Sequence, residues 1–140
     1  MKFEDFVRLG TVKRRRTDKS LAKSLKKTAK IDLKFLERIG IDDISARKIV
    51  SGYYDVLREV LEAIVTLKGY KIYSHEAFAY FLREEGDVVM AEKFDRFRLI
   101  RNRINYYRKS VSCDEAKEYC LEMKKMIVYF MKRLTNEIER

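Results

Sequence analysis

The stretch RLIRNRINYY, residues 98–107, gathers the side chains best suited to handling a phosphate. Helical spacing places Arg98, Arg101 and Asn105 on one face, at steps of three and four, with Asn102 beside Arg98 and close to Asn105. Arginine carries a permanent charge on a rigid fork of donors that matches phosphate oxygens. Asparagine offers both a donor and an acceptor. Such a face can grip a phosphodiester and stabilise the charge that develops as it is cleaved. Arg103 adds a further cation to the same stretch. The plainer reading is a helix C-terminus with basic residues set near its negative end.

The elements that must position these residues read as helices. Phe3, Phe6 and their neighbours fit a short helix over 3–9 that ends at Gly10, and KRRRTDKS (13–20) reads as a basic loop. From Asp18 to Ile39, Leu21, Leu25, Ala29, Leu33 and Leu36 recur at helical spacing among lysines. Gly40 ends that helix, and Asp42 or Asp43 is placed to cap the next, over 43–68. This next helix is apolar around much of its circumference, which suits the centre of a bundle or a helix shared with a subunit interface. Ser74 is set to cap a helix over 75–85. The helix carrying the opening stretch spans 88–107. Ser112 and Glu115 form a capping-box pattern for the last helix. Few stretches alternate as strands do. The expected fold is all-α, a bundle of about five main helices with short connections over 18–140, preceded by a basic N-terminal segment, 1–17.

Composition narrows the function classes. The chain has 140 residues, 39% of them charged, with no Gln, Pro or Trp and only three Asn. Many charges with few thermolabile amides are a composition associated with hot-adapted proteins. No apolar run approaches the length of a membrane span and no targeting segment is visible, so a cytoplasmic location and no membrane partner are expected. A single His makes a zinc site unexpected, so no metal and no cofactor are assigned. Cys113 and Cys120 lie seven apart, too far for a disulfide within one straight helix, and read as structural.

The net charge is +10, and residues 1–38 alone hold 13 Lys and Arg against 5 Asp and Glu. That asymmetry points to an anionic partner, nucleic acid before membrane. Arg14, Arg15, Arg16, Lys23 and Lys27 are the residues expected to meet phosphates without reading sequence. The paired tyrosines Tyr53–Tyr54 and Tyr106–Tyr107 are expected in the core or a dimer interface, with base stacking as the alternative. Glu59 and Glu62 are candidates to orient Arg101, although Glu62 could equally pair with Arg58, four residues before it.

Three stretches in order resemble the HEPN family (higher eukaryotes and prokaryotes nucleotide-binding domain), and its prokaryotic single-domain members most of all. SARKIVSGYYDVLREVLEAIVTLKGYK is similar to the central helix, SHEAFAYFLRE to the short helix after it, and FDRFRLIRNRINYYRKSVSCDEA to the helix with the functional motif. The resemblance covers about residues 18–138. It implies an all-α, up-and-down bundle of four to five main helices that dimerises and faces RNA or nucleotides. In many members it implies metal-independent ribonuclease activity, and in some a toxin paired with a small nucleotidyltransferase antitoxin. The motif is Arg, a polar residue, three to five further residues, then His. Arg101 and Asn102 match its first two positions. The window for the His holds Tyr106, Tyr107 and Arg108 instead, and the only histidine, His75, lies on a different expected helix. Asn105 cannot take a proton at neutral pH, and a tyrosine with a pKa near 10 is a poor base. The expected function is therefore RNA or nucleotide binding with a degenerate motif. The alternatives are a weak metal-independent endoribonuclease, with His75 or Tyr106 replacing the missing base, and a toxin-like partner of a nucleotidyltransferase.

Overall fold

The broadly apolar helix takes the central place. In the computed structural model, which describes residues 1–140, the order is α1 (Phe3–Leu9), β1 (Val12–Arg14), α2 (Lys19–Glu37), α3 (Ala46–Leu67), β2 (Tyr70–Ile72), α4 (Glu76–Glu84), α5 (Val88–Tyr106) and α6 (Cys113–Ile138). Twelve residues of α3 are buried, including Tyr54, Leu57, Leu61 and Ile64. Neighbours pack on it from several sides, and the molecule is an all-α bundle with one small two-stranded sheet.

Contacts between helices fix their directions. Leu36 of α2 lies against Gly52 of α3, whose missing side chain lets the two helices approach closely. Asp32 lies beside Glu59, so α2 and α3 run antiparallel. On α5, Asn105 accepts from Ser51 and Arg101 lies over the Tyr54 ring, so α5 also runs against α3. α6 runs with α3: Asp43 accepts from the backbone N–H of Cys113 at one end, and Lys68 meets Glu137 at the other. α2 packs on α3 and α6, with Lys124 bonded to Glu37 at 3.0 Å. α5 packs on α3 and α4, and reaches α6 through Phe97 against Tyr119 and Arg96 with Glu122. The helices α2, α5 and α6 therefore surround the central α3.

The helix ends follow local chemistry. Asp18 accepts from the Leu21 N–H to start α2. The Ser112–Glu115 capping box forms in both directions at the start of α6. Asp42 accepts from Ile44 and Ser45 in the turn that enters α3. α4 differs from expectation, because neither Ser74 nor His75 caps it through a side chain. The hydroxyl of Ser74 is not used, and its carbonyl receives the Ala77 N–H instead.

Residues 12–14 are not loop. They pair antiparallel with 70–72, in the register Val12 with Ile72. Val12 and Ile72 point inward and are buried, while the residues between face solvent. Phe3 packs edge-on against Tyr70 and Phe81, and Phe6 meets Tyr80, so residues 1–17 share the core of the rest. Ile44, just before α3, and Val89, in the first turn of α5, are both exposed.

Beyond α5 the chain turns through Arg108, which has φ 52°, a left-handed conformation unfavourable for a residue with a Cβ. The exposed side chain of Arg108 makes no recorded hydrogen bond or ion pair that would require it there. Arg108→Gly is expected to stabilise the protein by about 0.5–1 kcal/mol in urea unfolding. A loss of stability would mean that the arginine makes an unseen interaction.

Candidate functional site

An arginine-lined seam runs between α3 and α5. Facing side chains are Arg47, Ser51, Tyr54 and Arg58 on α3, and Asn105, Arg101 and Arg98 on α5. Steps of three and four put each set on one face of its helix. Three contacts tie the helices together: Arg47 donates to the Ile104 carbonyl at 3.4 Å, Ser51 donates to Asn105 at 3.0 Å, and the Arg101 guanidinium lies 5.5 Å from the Tyr54 ring centre. A cation over an aromatic face is held by the ring's quadrupole.

The arginines differ in how they are compensated. Arg58 pairs with Glu62 at 2.7 Å, and Arg98 with Asp95 at 2.8 Å. Arg101 has no carboxylate partner. It is half-buried between the Tyr54 and Tyr106 rings, its Nε lacks any hydrogen-bond partner, and its only recorded bond goes to the Tyr106 hydroxyl at 3.5 Å. A partly desolvated guanidinium without an anion is unusual, because arginines taken out of water are normally paired.

His75, at the start of α4, meets the hydroxyl end of Tyr54. Its Nδ1 lies 3.0 Å from the Tyr54 hydroxyl. Burial, and then the charges of Arg58, Arg101 and Arg98, depress its pKa to about 4. The imidazole is therefore neutral at pH 7. Burial raises the Tyr54 hydroxyl above its usual range. Tyr54 itself is fully buried, with Phe94 stacked on it at 5.6 Å and Phe78 edge-on to Phe94. The platform under Arg101 and His75 is thus part of the core.

The sequence-derived residues divide into three groups. Arg98, Arg101 and Asn105 share the seam, and Tyr106 reaches it by its hydroxyl. Asn102 is half-buried and makes no recorded hydrogen bond. Arg103 faces elsewhere, lining a small cavity with Ile100, Val111 and Tyr119. The basic N-terminal residues lie away from the seam. Arg14 sits on β1 and pairs with Glu4 at 2.9 Å, and Arg15 donates to the Tyr73 hydroxyl at 3.2 Å. Arg16 lines a hollow with Thr66, Tyr70 and Lys71. Lys23 and Lys27 are exposed on α2, across α3 from Arg101.

Glu59 does not orient Arg101. It faces α2, where burial and the neighbouring Asp32 carboxylate raise its pKa to about 7. Glu62 takes the local pairing with Arg58. Tyr53 and Tyr54 are core residues, whereas Tyr106 and Tyr107 are exposed. Cys120 is buried, which pushes its thiol up to about 12, and the Cys113 thiol bonds to the Ile41 carbonyl. Sequence reasoning did not assign Arg47, Ser51 and Tyr54 to the site. Their common stripe, at 47, 51, 54 and 58, is a readable signal on a helix otherwise dominated by apolar positions.

Fold and site together define an all-α helical bundle with an arginine seam beside a tyrosine–histidine pair. No helix is long and apolar enough to cross a membrane, and no three or more His, Cys, Asp or Glu side chains gather as a metal site. No family model, curated protein or solved structure matches the chain.

Proposed function

We propose that the protein binds the phosphate backbone of RNA, or a nucleotide, at the α3–α5 seam. The observation that carries this reading is Arg101, half-buried, stacked between two tyrosine rings and lacking any anionic partner. A phosphate entering there gains a charge-assisted bond and meets the positive field of Arg98, Arg47 and Arg58. The exposed rings of Tyr106 and Tyr107 offer stacking surfaces at the end of the same helix. The resemblance of RLIRNRINYY to the HEPN motif supports the same substrate class. A homodimer and a nucleotidyltransferase-type partner are further expectations of that resemblance.

A second reading, metal-independent ribonuclease activity, has its own observation. His75 is neutral at pH 7 and sits against Tyr54, which also carries Arg101. In this reading His75 would serve as the proton acceptor for a ribose 2′-hydroxyl, with Arg101 stabilising the phosphorane-like charge.

The test is binding of a fluorescein-labelled single-stranded RNA, measured by anisotropy between about 50 and 200 mM salt. Arg101→Ala is expected to weaken binding about tenfold and to reduce the salt slope by about 1. Binding that is absent in the unaltered protein, or unaffected by Arg101→Ala, overturns the proposal. The same RNA incubated with EDTA tests the second reading, which requires cleavage lost in both Arg101→Ala and His75→Ala. If Asn105→His alone gains cleavage, the seam holds substrate and lacks only a base.

A further inference from the structure

On the far side of α3 from the seam, α2 and α6 leave a groove of about 390 Å³ between them. Its floor is apolar: Leu33 from α2, with Ile127, Val128 and Met131 from α6. Val128 is 57% exposed, and Leu121, two turns before it on the same face, is 58% exposed. Lysines rim the groove. Lys30 and Lys132 line it directly, and Lys23, Lys26 and Lys27 continue the rim of α2 toward Ile138. None of these five lysines has a carboxylate within ion-pair distance. The acidic groups nearby are already engaged: Glu37 with Lys124, Glu137 with Arg133, and Asp32 beside Glu59.

We infer that the α2–α6 groove docks an acidic amphipathic helix of a partner protein. A valley between two antiparallel helices accepts a third helix lying along it, with apolar anchors at steps of three, four and seven seated on the floor. Acidic residues flanking those anchors meet the lysine rims, which otherwise repel one another along α2. A second copy of this chain is a poor occupant, because it would bring the same uncompensated lysines face to face in a protein of net charge +10. RNA suits the rims but not the floor. No aromatic ring lines the groove, so bases have nothing to stack on, and the apolar floor would stay wet beneath a phosphate backbone. Lysine rims steer the encounter, and the floor supplies the specificity.

The test uses a fluorescein-labelled synthetic peptide of about three heptads, with Leu on one helical face and Glu on the others. A second peptide has the same composition in scrambled order. Anisotropy is followed with the unaltered protein, with Lys27→Glu/Lys30→Glu and with Val128→Asp. All three altered positions are exposed, so the fold is expected to persist, and circular dichroism checks it. The ordered peptide is expected to bind, the scrambled one roughly tenfold more weakly, and each variant to lose roughly tenfold. Arg101→Ala should leave peptide binding unchanged, which separates this groove from the seam. Equal binding of the two peptides, or an unaffected Val128→Asp, would overturn the inference by reducing the groove to a charged surface. Displacement of the ordered peptide by the labelled RNA, with loss of RNA binding in Lys27→Glu/Lys30→Glu, would overturn it in favour of nucleic acid.

Discussion

Replacing Phe94 by Ala is expected to lower the free energy of unfolding by about 3–5 kcal/mol, measured by urea denaturation. Phe94 has no exposed surface, stacks on Tyr54 with rings 27° apart, and meets Phe78 edge-on at 5.7 Å. Truncation removes buried apolar area, both aromatic contacts and the filler of a site whose walls are rigid helices. A domain of this size is stable by about 5–15 kcal/mol, so a loss on that scale is a large share of the total. The effect should reach the seam as well. Without Phe94 behind it, Tyr54 loses the support that holds its hydroxyl at His75 and its ring under Arg101. RNA binding by the residual folded protein should then weaken even where Arg101 is untouched. Phe35→Ala is the matched control, because Phe35 is 62% exposed on α2 and its loss should change stability by less than about 0.5 kcal/mol. A Phe94→Ala variant within about 1 kcal/mol of the unaltered protein would show that the core repacks and that Tyr54 does not depend on it.

The same residues show what the sequence carries and what it does not. The long helices are legible because their apolar residues repeat at helical spacing, and Asp18, Asp87 and the Ser112–Glu115 box mark the starts of three of them, while α3 has no side-chain cap. The strand pair is not legible, because each strand has three residues and its partner lies nearly sixty positions away. Alternation over three residues is indistinguishable from chance. Arg101 stands out by type and spacing, yet the Tyr54 ring it lies over comes from another helix. Tyr54 reads as a core or interface tyrosine, and its place under Arg101 appears only when α5 crosses it. His75 reads as a helix-start residue, and its low pKa comes from burial and three arginines distant in sequence. The charge excess of residues 1–38 is also visible in the sequence, but not its division. Arg14 pairs with Glu4 and Arg15 donates to Tyr73, while Lys23, Lys26, Lys27 and Lys30 of α2 have no carboxylate partner. Periodicity assigns a face to each residue. It does not say which helix that face will meet.

Two half-buried titrating groups, Glu59 facing α2 and His75 against Tyr54, should oppose each other in the dependence of stability on pH. Glu59 has a pKa raised to about 7 by burial and by Asp32, with Arg58 acting against the shift and Asp55 with it. The folded state therefore holds its proton more tightly than the unfolded chain does. Its contribution to stability is present at low pH and is lost as pH rises through the window from the usual glutamate value to about 7. His75 has a pKa depressed to about 4 by burial and by Arg58, Arg101 and Arg98, so the unfolded chain binds that proton more tightly. Its contribution is present above the usual histidine value and is lost as pH falls toward about 4. Over about pH 4.5–6.5 the two trends run against each other, and the unaltered protein should show a shallow maximum of Tm there. Glu59→Gln removes the first trend, so its Tm should rise with pH from about 4 to 6.5 and then stay level to pH 8. His75→Asn removes the second, so its Tm should fall steadily as pH rises from about 4.5 to 7. Thermal unfolding of the three proteins over that range provides the measurement, and identical profiles would mean that neither group titrates as its surroundings dictate. Bound phosphate supplies the link to function. An anion beside Arg101 offsets the positive charges that face His75 and should raise the imidazole pKa by about 1 unit, read from its ring-proton shifts in an NMR titration with and without inorganic phosphate. A shift that also occurs in Arg101→Ala would place the anion elsewhere on the protein, and no shift at all would leave the seam without its proposed ligand.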